Sequence, residues 1–172
     1  DVEREIARVG KGSVNIFAPD YSSVSWVEDV EKAVAAAGCR STGRDARADA
    51  THRLLRKGGG VKQYSFGVEG VSERLRAAVG KALKNERLID TMRMLGDAGV
   101  GHVKWYMLFA LPGESQADHD EFARVIEDVE PVYEGALNIM PSQVKGLPHT
   151  PLERIANTYS DAGKEHYESL RA

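Results

Sequence analysis

Six polar side chains stand where α/β proteins assemble chemistry. Asp20, Arg47, Asp49, Glu69, Glu114 and Gln143 each fall at or just beyond the C-terminal end of a segment with strand character. A carboxylate there accepts hydrogen bonds from hydroxyl or ammonium groups, and a guanidinium fork matches a carboxylate. Local roles explain the same residues. Glu69 suits an anion at the start of a helix opened by Ser72, where the helix dipole favours negative charge. Arg47 equally suits a salt bridge to Asp45, Asp49 or Glu69, and Glu114 suits a turn or the cap of a helix from Ser115. Cys39 is the only cysteine, so no disulfide framework exists, and one thiol cannot by itself hold a cluster or structural zinc. No metal-ligand set is read in the chain. Cys39 reads as a small buried hydrophobe. His149 sits in a proline-rich loop and is left out of catalysis, while His119 and His166 fall on predicted helices and are expected to be exposed.

The 172 residues can bury one sizeable core. With 23 basic and 26 acidic side chains the net charge is -3, which supplies no electrostatic attraction for nucleic acid or an anionic membrane. The cluster His52, Arg53, Arg56 and Lys57 reads as a solvated helix face. No segment is apolar enough to span a bilayer, and the start Asp1-Val2-Glu3-Arg4-Glu5-Ile6 lacks the features of a signal peptide. A cytoplasmic location is expected. No G-x-G-x-x-G follows a strand, and Walker, H-E-x-x-H and nucleophile-elbow motifs are absent.

The elements that must position the polar residues repeat in a rhythm. Helix-period segments end at glycine, and a short apolar run follows. Ser25 with Glu28 has the capping-box spacing ahead of Val30, Val34 and Ala37, and Gly38 suits the left-handed C-terminal cap. Leu54 and Leu55 lie on a shorter helix ending at Gly58-Gly59-Gly60. Leu88, Met92 and Leu95 share one helical face, and Phe122, Val125, Ile126 and Val129 share another. Strands are expected at Val14 to Ala18, Cys39 to Ala46, Val61 to Val68, His102 to Ala110 and Ala136 to Met140. The run after Lys104 is nearly all apolar, as in parallel strands buried on both faces. Alternation of this kind predicts right-handed βαβ units, and polar residues at the strand exits favour a (β/α) barrel over an open doubly wound sheet.

Three segments carry a family resemblance. The first runs Tyr64-Ser65-Phe66-Gly67-Val68-Glu69-Gly70-Val71-Ser72-Glu73-Arg74-Leu75, followed by Lys81. The second is Ala98-Gly99-Val100 leading through Trp105 to Leu111-Pro112-Gly113-Glu114, and the third is Pro148-His149-Thr150-Pro151-Leu152. In this order and spacing they resemble the fourth strand, fifth strand and sixth-strand exit of a radical S-adenosylmethionine (SAM) enzyme. Ala18-Pro19-Asp20-Tyr21-Ser22 and Arg47-Ala48-Asp49 resemble the exits of strands two and three in a subgroup with many cobalamin-binding members. The resemblance implies an α/β fold, a partial (β/α) barrel holding strands two to six of a (β/α)6 core. Residues 1–155 form the barrel and 156–172 a C-terminal helical extension. Ala110 stands where the family usually has glycine, and Gly70-Val71 replaces Ser-Gly. The C-x-x-x-C-x-x-C loop expected after strand one is absent, and its place would lie directly upstream of Asp1.

The resemblance implies SAM and a [4Fe–4S] cluster whose ligands are not in this chain, with cobalamin a further cofactor in the subgroup. In the family, an electron from the cluster cleaves the sulfonium and yields a 5′-deoxyadenosyl radical. Glu69 is then the contact to the ribose or ammonium of SAM, with Ser65 on the same strand. Arg47 meets the methionyl carboxylate, and Asp20 the amino group or substrate. Leu108 and Ala110 line the adenine side, and Met140 and Pro141 add backbone edges and apolar contact. Core packing explains Leu108 and Met140 equally well. No residue is assigned to catalysis itself. Substrate choice in this fold belongs to rim loops and appended domains. The alternative is a non-catalytic barrel fragment that binds SAM or a partner, with self-association through an open barrel edge.

Overall fold

The computed structural model describes residues 2–9, 12–14, 25–41, 44–48, 62–145 and 149. Elements run α1 (Val2–Val9), β1 (Ser13–Val14), α2 (Val27–Ala36), β2 (Arg40–Ser41), β3 (Arg44–Ala46) and β4 (Gln63–Gly70). They continue with α3 (Glu73–Ala78), α4 (Asn85–Asp97), β5 (His102–Phe109), α5 (Gln116–Val129), a 3-10 turn (Glu130–Val132) and β6 (Ala136–Gln143). No helix among the described residues is long and apolar enough to cross a membrane.

Every strand pairing among the described residues is parallel, β1 with β2 and then β3-β4-β5-β6 in order. Each parallel neighbour needs a crossover, and α3–α4 and α5 supply two of them. The single strand expected at Cys39 to Ala46 is two pieces, β2 and β3, whose partners lie in different sheets. No closed barrel forms among the described residues, and the architecture is an α/β fold with a partial barrel wall.

One face of the four-stranded sheet holds the core. Tyr64, Phe66 and Val68 of β4 and Val103, Trp105, Met107 and Phe109 of β5 are buried there. They pack with Leu88, Met92 and Leu95 of α4 and Phe122, Val125 and Val129 of α5. The period of 3.6 in the helices and 2 in the strands turns these sets toward each other. A smaller cluster of Ile6, Val30, Val34 and Cys39 ties α1 to α2.

The opposite face differs from the expectation for β5. Lys104, Tyr106 and Leu108 alternate with the buried set, and Tyr106 is 44% exposed. Among the described residues β5 is therefore covered by helices on one side only, and its aromatic content, not double burial, made the run look continuous. Helix α2 also departs from the expected start. It begins at Val27 with Trp26 at the N-cap and no side-chain cap bond, although Gly38 does adopt the left-handed conformation (φ 68). The helix expected through Leu54 and Leu55 lies outside the described residues.

Candidate functional site

The inner face of the sheet is built in rows set by register. Asp45, Ser65, Lys104 and Asn138 lie side by side across β3, β4, β5 and β6, and Gly67, Tyr106 and Met140 form the next row. Register then slips between Gly67 and Glu69, a bulge that re-aims the side chain beyond it. Glu69 has φ 70, a left-handed backbone that disfavours a residue bearing Cβ. Strain of this kind is retained where surrounding structure holds it in place.

Here it faces a cavity of about 290 Å³ lined by Asp45, Ala46, Arg47, Ser65, Gly67, Glu69, Lys81 and Tyr106. Lys81 Nζ donates to the carbonyl of Gly67 and lies 3.3 Å from Glu69 Oε1. Both side chains are 30% exposed, so water reaches the pair and screens it. A Cβ on Gly67 would stand 2.6 Å from Glu69 Oε1 and 3.1 Å from Lys81 Nζ, so only glycine leaves room for this arrangement. A larger hollow of about 650 Å³ lies at the N-terminal ends of β5 and β6, between Gly99–Gly101 and Gly135. In barrel folds that end carries stability rather than chemistry.

Two buried networks hold the strand exits. Ser72 caps α3 by accepting from Leu75 N–H at 3.3 Å and donates to Asp118 Oδ1 at 2.6 Å. Asp118 also accepts from Arg74 at 2.6 Å, from the Ser115 hydroxyl at 2.7 Å and from the Ser115 N–H at 2.9 Å. Burial alone would raise its pKa. Hydrogen bonds from Ser72, Ser115 and Arg74 outweigh burial and hold the carboxyl at about 2. Arg76, wholly buried, donates to the carbonyls of Leu83 (2.7 Å) and Gly70 (3.2 Å) and to Asn85 Oδ1, fixing the segment beyond Glu69.

Glu114 closes the turn after β5 by accepting from Leu111 N–H at 2.8 Å. Burial, with the neighbouring Asp118 charge adding to it, pushes its carboxyl up to about 7. His119 is not exposed as expected. It is 5% exposed, its Nε2 lies 2.9 Å from Glu114 Oε1, and its ring stacks on Phe109 at 6.3 Å. The first turn of α5 packs against the β5 exit, which turns this histidine inward.

A sequence model of the family described as "Radical SAM superfamily" matches residues 27–126, more than half of the chain. The chain belongs to the radical SAM superfamily. Among solved structures it is similar to coproporphyrinogen III oxidase (HemN) from Escherichia coli, a radical SAM enzyme, at 14% identity and a TM-score of 0.60. That similarity covers 94% of this chain and spans 39% of the HemN chain. At such identity the likeness is one of fold. No curated protein matches the sequence.

Of the residues that the radical SAM resemblance singled out, Arg47, Ser65 and Glu69 line the same cavity. Leu108 and Met140 lie on the same inner face further along β5 and β6, Met140 42% exposed. Pro141 is half-buried and points the other way, and Ala110 is fully buried with φ 61 at the β5 exit. Asp20 and Asp49 lie outside the described residues. Sequence reasoning did not assign Asp45, Gly67, Lys81 or Tyr106 to the site. A lone glycine inside a strand pattern is the signal that points to Gly67, because it marks a bulge or a close approach.

Among the described residues no group of three or more His, Cys, Asp or Glu is placed to hold a metal. The cavity fits the polar part of SAM better than it fits a cluster. It offers two carboxylates, a guanidinium, an ammonium and two hydroxyls around a space that suits a ribose or one charged arm.

Proposed function

We propose that this chain is the SAM-binding part of a radical SAM enzyme. The supporting observation is the meeting of Arg47, Ser65 and Glu69 at one cavity beside the C-terminal ends of β3 and β4. Glu69 Oε2, which has no partner among the described residues, accepts from the ribose hydroxyls or the ammonium group. Arg47 meets the methionyl carboxylate through its fork. Leu108 and Met140 provide an apolar strip along the inner face for the adenine, and Ala110 and Pro141 shape the backbone at the exits of β5 and β6. Asp20 is assigned a contact to the amino group or substrate by resemblance alone.

A [4Fe–4S] cluster, when bound, would supply the electron for SAM cleavage, and its ligands are not among this chain's residues, whose one cysteine is Cys39. Cobalamin belongs to the same reading through the subgroup that the Asp20 and Arg47 segments resemble. The chain's own residues bind and orient SAM and keep the reacting end against an apolar wall. The enzyme works in the cytoplasm, in keeping with a single buried thiol.

Titration calorimetry with SAM on this chain tests the reading. Binding is expected, and Glu69→Gln weakens it roughly 10–100-fold, the loss of a charge-assisted hydrogen bond. Heat that is absent at millimolar SAM, or an unchanged affinity in Glu69→Gln, refutes the assignment.

A further inference from the structure

We infer that Lys81 is a positioning residue that holds the Glu69 carboxylate over the bulged end of β4, an inference that rests on the SAM-site reading for its functional half. The chain is routed to make this contact. β4 ends one residue after Glu69, α3 carries the chain away, and Gly80 at φ 81 reverses it. Lys81 N–H then bonds the Arg76 carbonyl at 2.8 Å, and its side chain returns across 12 positions to Glu69 and 14 to Gly67.

The bulge explains why a cation is placed there. A register slip turns backbone groups out of the ladder and leaves a carbonyl in need of a donor. Lys81 Nζ supplies that donor to Gly67 and, with the same ammonium, fixes Oε1 of Glu69. One oxygen is thereby anchored, which leaves Oε2 for a ligand in the cavity that Glu69 lines. The left-handed backbone of Glu69 needs such support, because nothing about a glutamate favours φ 70. Gly67 completes the device, since a Cβ there would overlap Glu69 Oε1 at 2.6 Å and crowd Lys81 Nζ at 3.1 Å. An exposed lysine pair of ordinary kind contributes little. This one bridges a carbonyl and a carboxylate at once, and it is half-buried.

The experiment compares Lys81→Met, Lys81→Arg, Glu69→Gln and the Lys81→Met/Glu69→Gln double variant with the parent chain. Amide hydrogen exchange without ligand is read first. Lys81→Met is expected to speed exchange at Glu69 and Gly70 roughly tenfold while β5 keeps its protection, and Lys81→Arg to restore the parent pattern. SAM affinity is read second. Lys81→Met weakens binding about tenfold in the parent and less than about threefold in the Glu69→Gln background, because the lysine acts through the glutamate. An unchanged exchange pattern overturns the inference whatever SAM does. Equal losses of affinity in both backgrounds overturn it too, since Lys81 would then act independently of Glu69. A parent chain that binds no SAM removes the SAM-site reading alone, and the exchange result then decides the role of Lys81.

Discussion

Arg76→Met should cost this fold several kcal/mol, although the position touches no ligand. The guanidinium is 0% exposed and satisfies the carbonyls of Leu83 and Gly70 and the Asn85 side chain. A buried acceptor left without its donor costs about 1–3 kcal/mol. The two carbonyls bear that cost fully, and Asn85 less, because its amide still donates to Glu121 at 2.8 Å. The gross loss is then about 3–6 kcal/mol. Against it stands relief from burying a charge, which already lowers the Arg76 pKa and has no carboxylate within salt-bridge distance among the described residues. Such relief is worth about 1–3 kcal/mol when an apolar chain of similar volume replaces a buried ion. The middle of each range leaves a net loss of about 2.5 kcal/mol, or a fall in melting temperature of about 5–10 °C for a domain of this size. Urea denaturation followed by circular dichroism measures it, with an unchanged m-value marking a purely energetic effect. Equal or greater stability in Arg76→Met would refute the reasoning, since burying the charge would then outweigh its three hydrogen bonds.

Stability should also depend on pH in two opposite windows. Glu114 is raised from 4.5 to about 7, so its contribution is full below pH 4.5 and is lost as pH rises to 7, by up to about 3 kcal/mol. Asp118 is lowered from 3.8 to about 2, so its contribution is present above pH 4 and is lost toward pH 2. Urea midpoints across pH 2–8 should peak near pH 4–5, and Glu114→Gln should flatten the upper limb. Gly67→Ala should cut SAM affinity at least roughly tenfold by displacing the Glu69 carboxylate, with little change in melting; parent-like affinity would show that the glycine is dispensable. Ser72→Ala should lose about 2–3 kcal/mol, because one hydroxyl both caps α3 and bonds the Asp118 carboxylate; a loss of only a few tenths in thermal melts would contradict that double role.

Much of this architecture is legible in local pattern. Leu88, Met92 and Leu95, and likewise Phe122, Val125 and Val129, face the core as their spacing requires, and Ser115 does open α5 with Asp118 closing the capping box. The strand exit at Glu69 was readable because it follows the run Tyr64 to Val68 and precedes a glycine, whereas β3 before Arg47 is short and charged. Long-range pairing was not readable. Ser72 meets Asp118 across 46 positions and Lys81 meets Glu69 across 12, and no periodicity encodes such encounters. Tertiary packing also overrode two local signals. Ser25 lost its cap role to a start at Val27, and His119 went inside because Phe109 and Glu114 stand opposite it. The left-handed backbones of Glu69 and Ala110 were hidden for a similar reason, since neither residue type announces that conformation.

The carboxylate of Asp118 gives the two strand exits a shared inheritance. It takes hydrogen bonds from Ser72 and Arg74 behind β4 and from Ser115 behind β5, while Arg74 also reaches the Gly113 carbonyl at 3.0 Å. Neither loop is an interchangeable part. A chimera that imports residues 70–76 from a relative without residues 113–118 would set foreign side chains against a buried negative charge. Grafting both stretches as one cassette would carry the latch along with its keepers. For anyone wishing to redesign this rim, the natural unit of exchange is therefore a pair of loops whose contacts span 44 to 46 positions.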